Sequence, residues 1–489
     1  MATIETASIP VSPLPVRPNL VLAICCMSLL VVSVDATIVN IALPAIRRDL
    51  SASTTGLQWV VDAYTLVVAS LLMLSGSLAD RIGRRRTFQT GMVIFTLASV
   101  LCSWAPNLGQ LVAFRMLQAL GGSMLNPVAM SIITNTFVEP KARARAIGVW
   151  GAVVGISMAL GPLVGGGLTQ AIGWRSIFWI NLPIGAAAIL LAQRFVPESK
   201  APRARRIDPV GQLLVSVGFA SLIYAVIEGP RRGFGSALIL GLFALFAGAL
   251  LGLLLYEPRR LEPLLDLRFF GSIPFSSATL IAVLMFGAFS GFGFLNALYL
   301  QEVRGMAAFL TGVYTLPLAL ATMAASPVSG RLIGRFGTRP SLVIAGAAVA
   351  LSGLLLTRLS SDTSLTQLVL AYVIFGVGFG LVNAPITNTA VSGMPRAQAG
   401  LAAAVASTSR LFGASLGVAI AGTLAHGHHA QLGFVRATHP FFWLITAAGV
   451  AVTLLGLLSN GRRAKASMRR VAGLLEEPTA GSVAVGIKS

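Results

Sequence analysis

The sequence predicts an all-α polytopic membrane protein with fourteen spans, and three observations predict it. Hydrophobic residues make up 55% of the 489 and charged residues only 11%, with a mean hydropathy of +0.83; a soluble domain carries about 25% charge. Apolar runs of the roughly 20 residues needed to cross a bilayer recur along the whole chain. Lys and Arg gather in every second loop between those runs, as the positive-inside rule requires of a multi-pass chain.

The first six runs are Asn19–Leu43, Gly56–Leu78, Thr87–Trp104, Gly109–Thr136, Ala144–Gln170 and Ser176–Val196. Two follow at Pro209–Glu228 and Gly235–Tyr256. The last six are Ile273–Leu300, Ala308–Arg331, Ser341–Leu359, Thr366–Ala390, Ala397–Leu424 and Pro440–Asn460. One set of loops holds Arg81 and Arg84–Arg86; Lys141, Arg143 and Arg145; Arg194 to Arg206; Arg259, Arg260 and Arg268; Arg331, Arg335 and Arg339; Arg396; and Arg462 to Arg470. The opposite set holds Arg47, Arg48, Arg175, Arg231, Arg232, Arg304, Arg358 and Arg436. The alternation requires an even number of spans and puts both termini in the cytoplasm.

The formal charge of +20 would suit nucleic acid, but these cations sit in short loops, so no nucleic-acid partner is expected. Cys25, Cys26 and Cys102 lie within apolar runs and offer neither a disulfide framework nor metal spacing. The first eighteen residues do not read as a cleavable signal.

The chain repeats weakly. Gly76-Ser77-Leu78-Ala79-Asp80-Arg81-Ile82-Gly83 follows span two, and Gly330-Arg331-Leu332-Ile333-Gly334-Arg335-Phe336-Gly337 follows span ten. Gly121–Pro127 similarly matches Gly378–Pro385. Two six-helix halves, 19–196 and 273–460, are therefore expected about an axis along the membrane normal. A linker, 197–272, carries the two spans without counterparts, between a terminal segment at 1–18 and a basic tail at 461–489 whose end, beyond Arg470, is expected to be mobile.

The segment Gly76–Arg86 (GSLADRIGRRR) resembles the loop signature of the major facilitator superfamily. Gly161-Pro162-Leu163-Val164-Gly165-Gly166 resembles that family's antiporter motif. Val34–Pro44 (VDATIVNIALP) and Trp174–Pro183 (WRSIFWINLP) are similar to signatures of its fourteen-helix drug:proton antiporter branch. The resemblance runs from about Asn19 to Asn460 and departs in the second-half loop, where Gly334 stands in place of Asp80. It implies a major facilitator fold and a proton-driven multidrug exporter in the cell's inner membrane, with no cofactor beyond the proton gradient. The partners would be small molecules, protons and the bilayer, and the chain would act as a monomer.

Several positions are candidates for that work. Gly76, Asp80, Arg81, Gly83, Arg84 and Arg85 set topology; the functional reading adds a latch in which the charges pair with the other half in one conformation. Gly151, Gly155, Gly161, Pro162 and Gly165 let helices approach closely, while the resemblance adds that the Pro bend suppresses leakage. A charge inside a membrane helix costs at least about 3 kcal/mol, which singles out Asp35, Asp62, Arg115 and Arg410. At about 1.5 Å per residue, the first three fall near one depth, roughly 10 Å from the outer edge.

A carboxylate alternately exposed to water and protein can load and release a proton, so Asp35 and Asp62 are the proton-coupling candidates. Arg115, with Gln118, resembles the family's span-four motif, and its alternative is a static pair with Asp35 or Asp62. Gln118, Asn126, Asn383 and Arg410 are substrate-cavity candidates, the two Asn beside helix breaks where they ligate substrate or fill freed backbone positions. His426, His428 and His429 read as a solvated outer loop rather than a metal site.

Rival readings keep the fold and change the cargo or its direction, to an uptake permease or an exporter of one lipid or metabolite. A phosphate-binding G-x-x-x-x-G-K-[ST] loop is not present in the sequence, which argues against an ATP-driven pump, and no stretch reads as an appended soluble signalling domain. Transport rather than enzymatic turnover is expected.

Overall fold

The computed structural model describes residues 17–200, 208–260, 262–426, 431–459 and 461–476. Among them, fourteen helical segments are long and apolar enough to cross a membrane. The first half contains α1 (Pro18–Leu50), α2 (Thr54–Ile82), α3 (Arg84–Trp104), α4 (Leu108–Thr136) and α5 (Pro140–Ala171), then a span in two pieces, α6 (Ser176–Trp179) and α7 (Asn181–Phe195). The inserted pair is α8 (Pro209–Arg232) and α9 (Ala237–Tyr256). The second half contains α10 (Ile273–Leu298), α11 (Ala308–Phe336), α12 (Thr338–Leu356), α13 (Leu365–Val391), α14 (Arg396–Ala425) and α15 (Gln431–Leu458), and α16 (Arg462–Glu476) follows.

Helix starts follow local chemistry. Ser53, Asn107, Asp208, Ser236 and Ser364 each accept a hydrogen bond from a first-turn N–H of α2, α4, α8, α9 and α13. Pro18 and Pro209 stand where a helix needs no N–H. The helices pack in a repeated pattern: α1 against α5, α2 against α4 and α3 against α4 correspond to α10 against α14, α11 against α13 and α12 against α13. The halves meet along two seams, α2 with α14 and α5 with α11. Inserted α8 lies on the α2–α14 seam, touching both helices, and α9 packs chiefly on α8. The outer helix α9 exposes Leu240, Leu251 and Leu255 by more than half, as a lipid-facing helix must.

Several boundaries differ from the sequence reading. Helix α1 continues through Pro44 to Leu50, and α15 begins at Gln431, upstream of Pro440; membrane helices tolerate proline within their length. The expected breaks at Pro127 and Pro385 are likewise absent; α4 and α13 run through both. At Pro385 the reason is visible. The Leu381 carbonyl, which a residue-385 N–H would satisfy, accepts hydroxyls from Ser329 (2.7 Å) and Ser341 (2.8 Å) on the adjacent helices. The expected mobile tail is instead helical to Glu476, with Ala464 and Val471 buried against the bundle. Residues 1–16, His428, His429, Asn460 and 477–489 lie outside the described residues.

The tightest half-internal seam, α10 with α14, depends on missing side chains. A Cβ at Gly417 would overlap the Gly287 carbonyl, and one at Gly291 would lie 2.6 Å from the Gly417 carbonyl. Gly417→Val therefore loses about 1–3 kcal/mol by overpacking, read as a lower Tm of the detergent-purified protein. Gly241→Ala, where a Cβ meets nothing within 4 Å, does not lower Tm, since Ala favours the helix over Gly.

Candidate functional site

Asp35 lies midway along α1 and is fully buried. The apolar run read from the sequence ends at Leu43, whereas α1 extends to Leu50 and places Asp35 at its middle. Arg115 of α4 reaches it with a 2.5 Å ion pair, itself only 1% exposed. The same guanidinium donates to the Val60 carbonyl of α2 (3.2 Å) and to Gln118 Oε1 (2.6 Å). Gln118 Nε2 in turn donates to Asp35 Oδ1 (2.9 Å) and Ser99 Oγ (2.7 Å), and Asn181 Nδ2 donates to the same two atoms at 3.2 and 3.1 Å. Tyr64 lays its ring 4.3 Å from the guanidinium carbon. Five helices of one half thus converge on one neutral pair with satisfied oxygens, the condition for burying charge without a net loss.

Of the two partners left open for Arg115, the structure selects Asp35. Asp62 is also fully buried but points away from this network. It accepts from Ser415 Oγ of α14 at 2.9 Å, and its second oxygen has no hydrogen-bond partner among the described residues. Asp62 and Ser415 thus form a bond between the halves. Gln58, one turn earlier on α2, makes another, donating to the Ala419 carbonyl at 2.8 Å.

Further cross-half bonds lie toward the end remote from Asp80: Arg47 with Glu302 (2.5 Å), Gln301 with the Ile41 carbonyl (2.8 Å) and the Phe309 N–H with Gln170 (3.3 Å). The halves are joined at that end.

At the opposite, basic end the residues expected to form a latch make their described bonds close by in this conformation. The supposed loop is a single residue, Gly83, at φ +118° between α2 and α3. Gly76, Asp80 and Arg81 lie on the last turns of α2, and Arg84 and Arg85 on the first turn of α3. Asp80 pairs with Arg84 four residues on, at 3.0 Å. Glu198, beyond α7, accepts the N–H groups of Arg85 (3.1 Å) and Arg86 (3.3 Å) and lies 4.0 and 3.8 Å from their guanidinium groups. These bonds are all made inside the first half, because the uncapped start of α3 attracts the nearest carboxylate.

The antiporter-motif residues divide. Cβ atoms at Gly161 and Gly165 would strike Thr37 and Ile38 of α1, the Pro162 carbonyl abuts Gly312 of α11, and Gly155 faces Met323 of α11 at 3.3 Å; Gly151 has open space. Close approach therefore explains Gly161, Gly165 and, more loosely, Gly155, but not Gly151.

Arg410 of α14 donates to Thr387 Oγ1 (2.5 Å) and the Asn383 carbonyl (3.3 Å), and its buried Nε has no hydrogen-bond partner among the described residues. The Asn383 amide donates to the Phe379 carbonyl (3.3 Å), and Asn126 Oδ1 is buried without a hydrogen-bond partner among the described residues. His426 Nδ1 lies 3.3 Å from Thr55 Oγ1. Among the described residues no group of three or more His, Cys, Asp and Glu could hold a metal.

Sequence reasoning missed Ser99, Asn181, Tyr64, Ser415, Glu198 and the Arg47–Glu302 pair. Asn181 alone had a signal, inside the quoted Trp174–Pro183 segment; the others are ordinary residue types that acquire meaning only from neighbours distant in the chain. The geometry makes a testable claim about the buried pair. Arg115→Met strands the Asp35 charge and costs about 3–5 kcal/mol. Arg115→Met with Asp35→Leu recovers most of that loss, as measured by a thermal-unfolding double-mutant cycle.

Residues 25–418 match the Major Facilitator Superfamily. The chain is 38% identical over 399 residues to the multidrug resistance protein Stp of Mycobacterium tuberculosis, covering 81% of this chain and 74% of that one. It is 36% identical over 419 residues to the tetracenomycin C resistance and export protein of Streptomyces glaucescens (86% and 78%), and 34% over 408 to the methylenomycin A resistance protein of Bacillus subtilis (83% and 87%). A solved bacterial homologue of the human drug peptide transporters shares the fold at a TM-score of 0.67 and 14% identity, over 93% of this chain and all of that one. Fold, motif-bearing helices and relatives agree: this multi-pass membrane protein belongs to the Major Facilitator Superfamily.

Proposed function

We propose that the chain is a secondary active exporter that moves small, lipophilic toxic compounds outward in exchange for protons. The basic end and both termini face the cytoplasm in this reading, so the halves joined near Arg47 and Glu302 are closed to the outside. The carrying observation is the Asp62–Ser415 bond: a fully buried carboxylate, with one oxygen unpartnered, on the seam between the two bodies that must rock. A proton on Asp62 cancels its charge and supplies a donor, changing what the seam costs to open. Proton binding and conformation are then linked without any contact between proton and drug.

Asp35, held by Arg115, Gln118 and Asn181 inside one half, is the second coupling carboxylate. Its network gives it a route to change partners when α1 and α4 shift. The named roles of the relatives, multidrug resistance and antibiotic export, support the outward direction. Two relatives are named for single compounds, tetracenomycin C and methylenomycin A, which favours a dedicated-substrate exporter as the second reading. Arg410 and the unpartnered Asn126 oxygen are the polar groups we assign to the substrate cavity.

Dye efflux from cells tests this. Collapse of the proton gradient abolishes export; undiminished efflux would sink proton coupling. Asp35→Asn and Asp62→Asn each lower energised efflux by at least about tenfold, the factor for about 1.4 kcal/mol of lost coupling. Full activity in both variants would remove the carboxylate assignments. Transport of one compound out of a broad panel would select the dedicated exporter.

A further inference from the structure

Arg410 stands apart from Arg115 because no carboxylate answers it. Arg115 is matched by Asp35. Among the described residues, both hydrogen bonds of the Arg410 guanidinium come from one nitrogen, Nη2, and go to neutral oxygens, the Thr387 hydroxyl and the Asn383 carbonyl. Between Ile273 and Leu458 the sequence holds two acids, Glu302 and Asp362. Glu302 pairs with Arg47, and Asp362 lies in the connection between α12 and α13, both at the end remote from Asp80. Asp62 of the other half bonds Ser415. A cation held at mid-membrane by neutral groups alone is costly unless water or an anion reaches it.

The groups beside it are aromatic. The guanidinium carbon lies 5.7 Å from the Phe286 ring centroid, within reach of a cation–π attraction. Phe286 meets Phe379 of α13 edge-on at 5.1 Å, and Phe289 stacks on Phe379 at 4.2 Å. Phe286 and Phe289 are half-buried. On α10 they lie two turns and one turn before Gly293, whose Cβ would lie 3.8 Å from Asn40 of α1, so this face of α10 looks toward the first half. Leu411, next to Arg410, packs against the apolar core of the first half. Phe286 is midway along α10 and Arg410 midway along α14. Ring and cation thus share the midplane between the halves, where transporters built from two such repeats bind their cargo.

We propose that Arg410 and the Phe286–Phe379–Phe289 cluster form a subsite for aromatic compounds that carry an anionic oxygen group, a carboxylate or a phenolate. This rests on the exporter reading of the space between the halves and adds the charge of its cargo. The anion is the counterion that the second half lacks, held by charge-assisted hydrogen bonds from the guanidinium, while its ring extends the aromatic stack. A lipophilic cation gains the same stacking but meets the like charge of Arg410.

The experiment uses the detergent-purified full chain and two dyes with the same three-ring core, anionic fluorescein and cationic tetramethylrhodamine methyl ester. Fluorescence polarisation reads the binding of each. Fluorescein binds saturably and more tightly than the cation. Arg410→Gln weakens fluorescein by at least about tenfold, the loss of one charge-assisted hydrogen bond. The same variant binds the cation as well as before or better, which shows that it is folded. Phe289→Leu weakens both dyes, and Arg335→Gln, which removes an exposed charge at the basic end, changes neither. No saturable fluorescein binding, a tighter cation, an equal loss of both dyes in Arg410→Gln, or an equal loss of fluorescein in Arg335→Gln overturns the subsite. Proteoliposomes with an imposed proton gradient separate this inference from the reading beneath it. Gradient-driven movement of the cation with fluorescein excluded removes the anion subsite and leaves the exporter. Arg410-dependent fluorescein binding, with neither dye moved by the gradient, keeps the subsite and removes the proton-driven exporter.

Discussion

Charge inside hydrocarbon has to be answered by the chain itself, since no water is available to do it. Asp35 and Arg115 answer each other at 2.5 Å, and the rest of the first half is arranged around that pair. Gln118, Asn181, Ser99 and the Val60 carbonyl absorb the remaining lone pairs and protons. Helices α1, α2, α3, α4 and α7 are therefore held in mutual register by polar bonds as well as by packing. Such a network stabilises one arrangement only when every member is satisfied, which gives the first half the rigidity of a body that moves as a unit.

The bonds between halves are of another kind. Among the described residues they are few and concentrated away from the basic end: a partly exposed ion pair at Arg47 and Glu302, amides at Gln58, Gln301 and Gln170, the Thr55–His426 contact and the Asp62–Ser415 bond. Each is a one- or two-bond link that can be exchanged for water at modest cost. Contrast within one chain, dense polar networks inside a half and sparse links between halves, is what two rocking bodies require. The basic-end arginines fit the same division. Glu198 and Asp80 engage Arg84, Arg85 and Arg86 within the first half, leaving that end free of those particular cross-half pairs.

The fourteen spans and the two-plus-insertion plan were legible because they rest on one-dimensional quantities: run length, charge alternation and an offset repeat. The buried charges were legible for the same reason, since Asp35, Asp62 and Arg115 stand out in any apolar run. Their pairing was not. Val60 and Asp62 are two residues apart on α2, so their groups face different neighbours, and only the packing tells that Arg115 takes the Val60 carbonyl while Asp62 meets Ser415. The proline boundaries failed for a related reason. Pro385 looks like a break in one dimension, but Ser329 and Ser341, from two other helices, satisfy the Leu381 carbonyl that it orphans. The start of α3 hid in the same way, because its cap, Glu198, is more than a hundred residues away.

The two seams between the halves are chemically unequal, and the inserted helices sharpen the difference. On the α5–α11 seam the contacts are mainly backbone-close, Gly166 on Ala308 and Gly312 on Pro162, with a single amide bond from the Phe309 N–H to Gln170 near its end. The α2–α14 seam carries Gln58, Asp62 and Ser415, and α8 covers it. Phe219 stacks on Phe412 with centroids 4.5 Å apart, Thr423 donates to the Val226 carbonyl at 2.8 Å, and Trp59 donates to Glu228 at 3.2 Å. A polar seam facing lipid would leave its groups without water or partner whenever it loosened. With α8 fastened to both sides, the lipid face of this seam is closed by protein. In the proposed mechanism a proton bound for Asp62 arrives through the space between the halves, and the inserted pair lets a chargeable residue sit on the seam without exposing it to hydrocarbon. The α5–α11 side carries no described buried carboxylate, and among the described residues no inserted helix covers it.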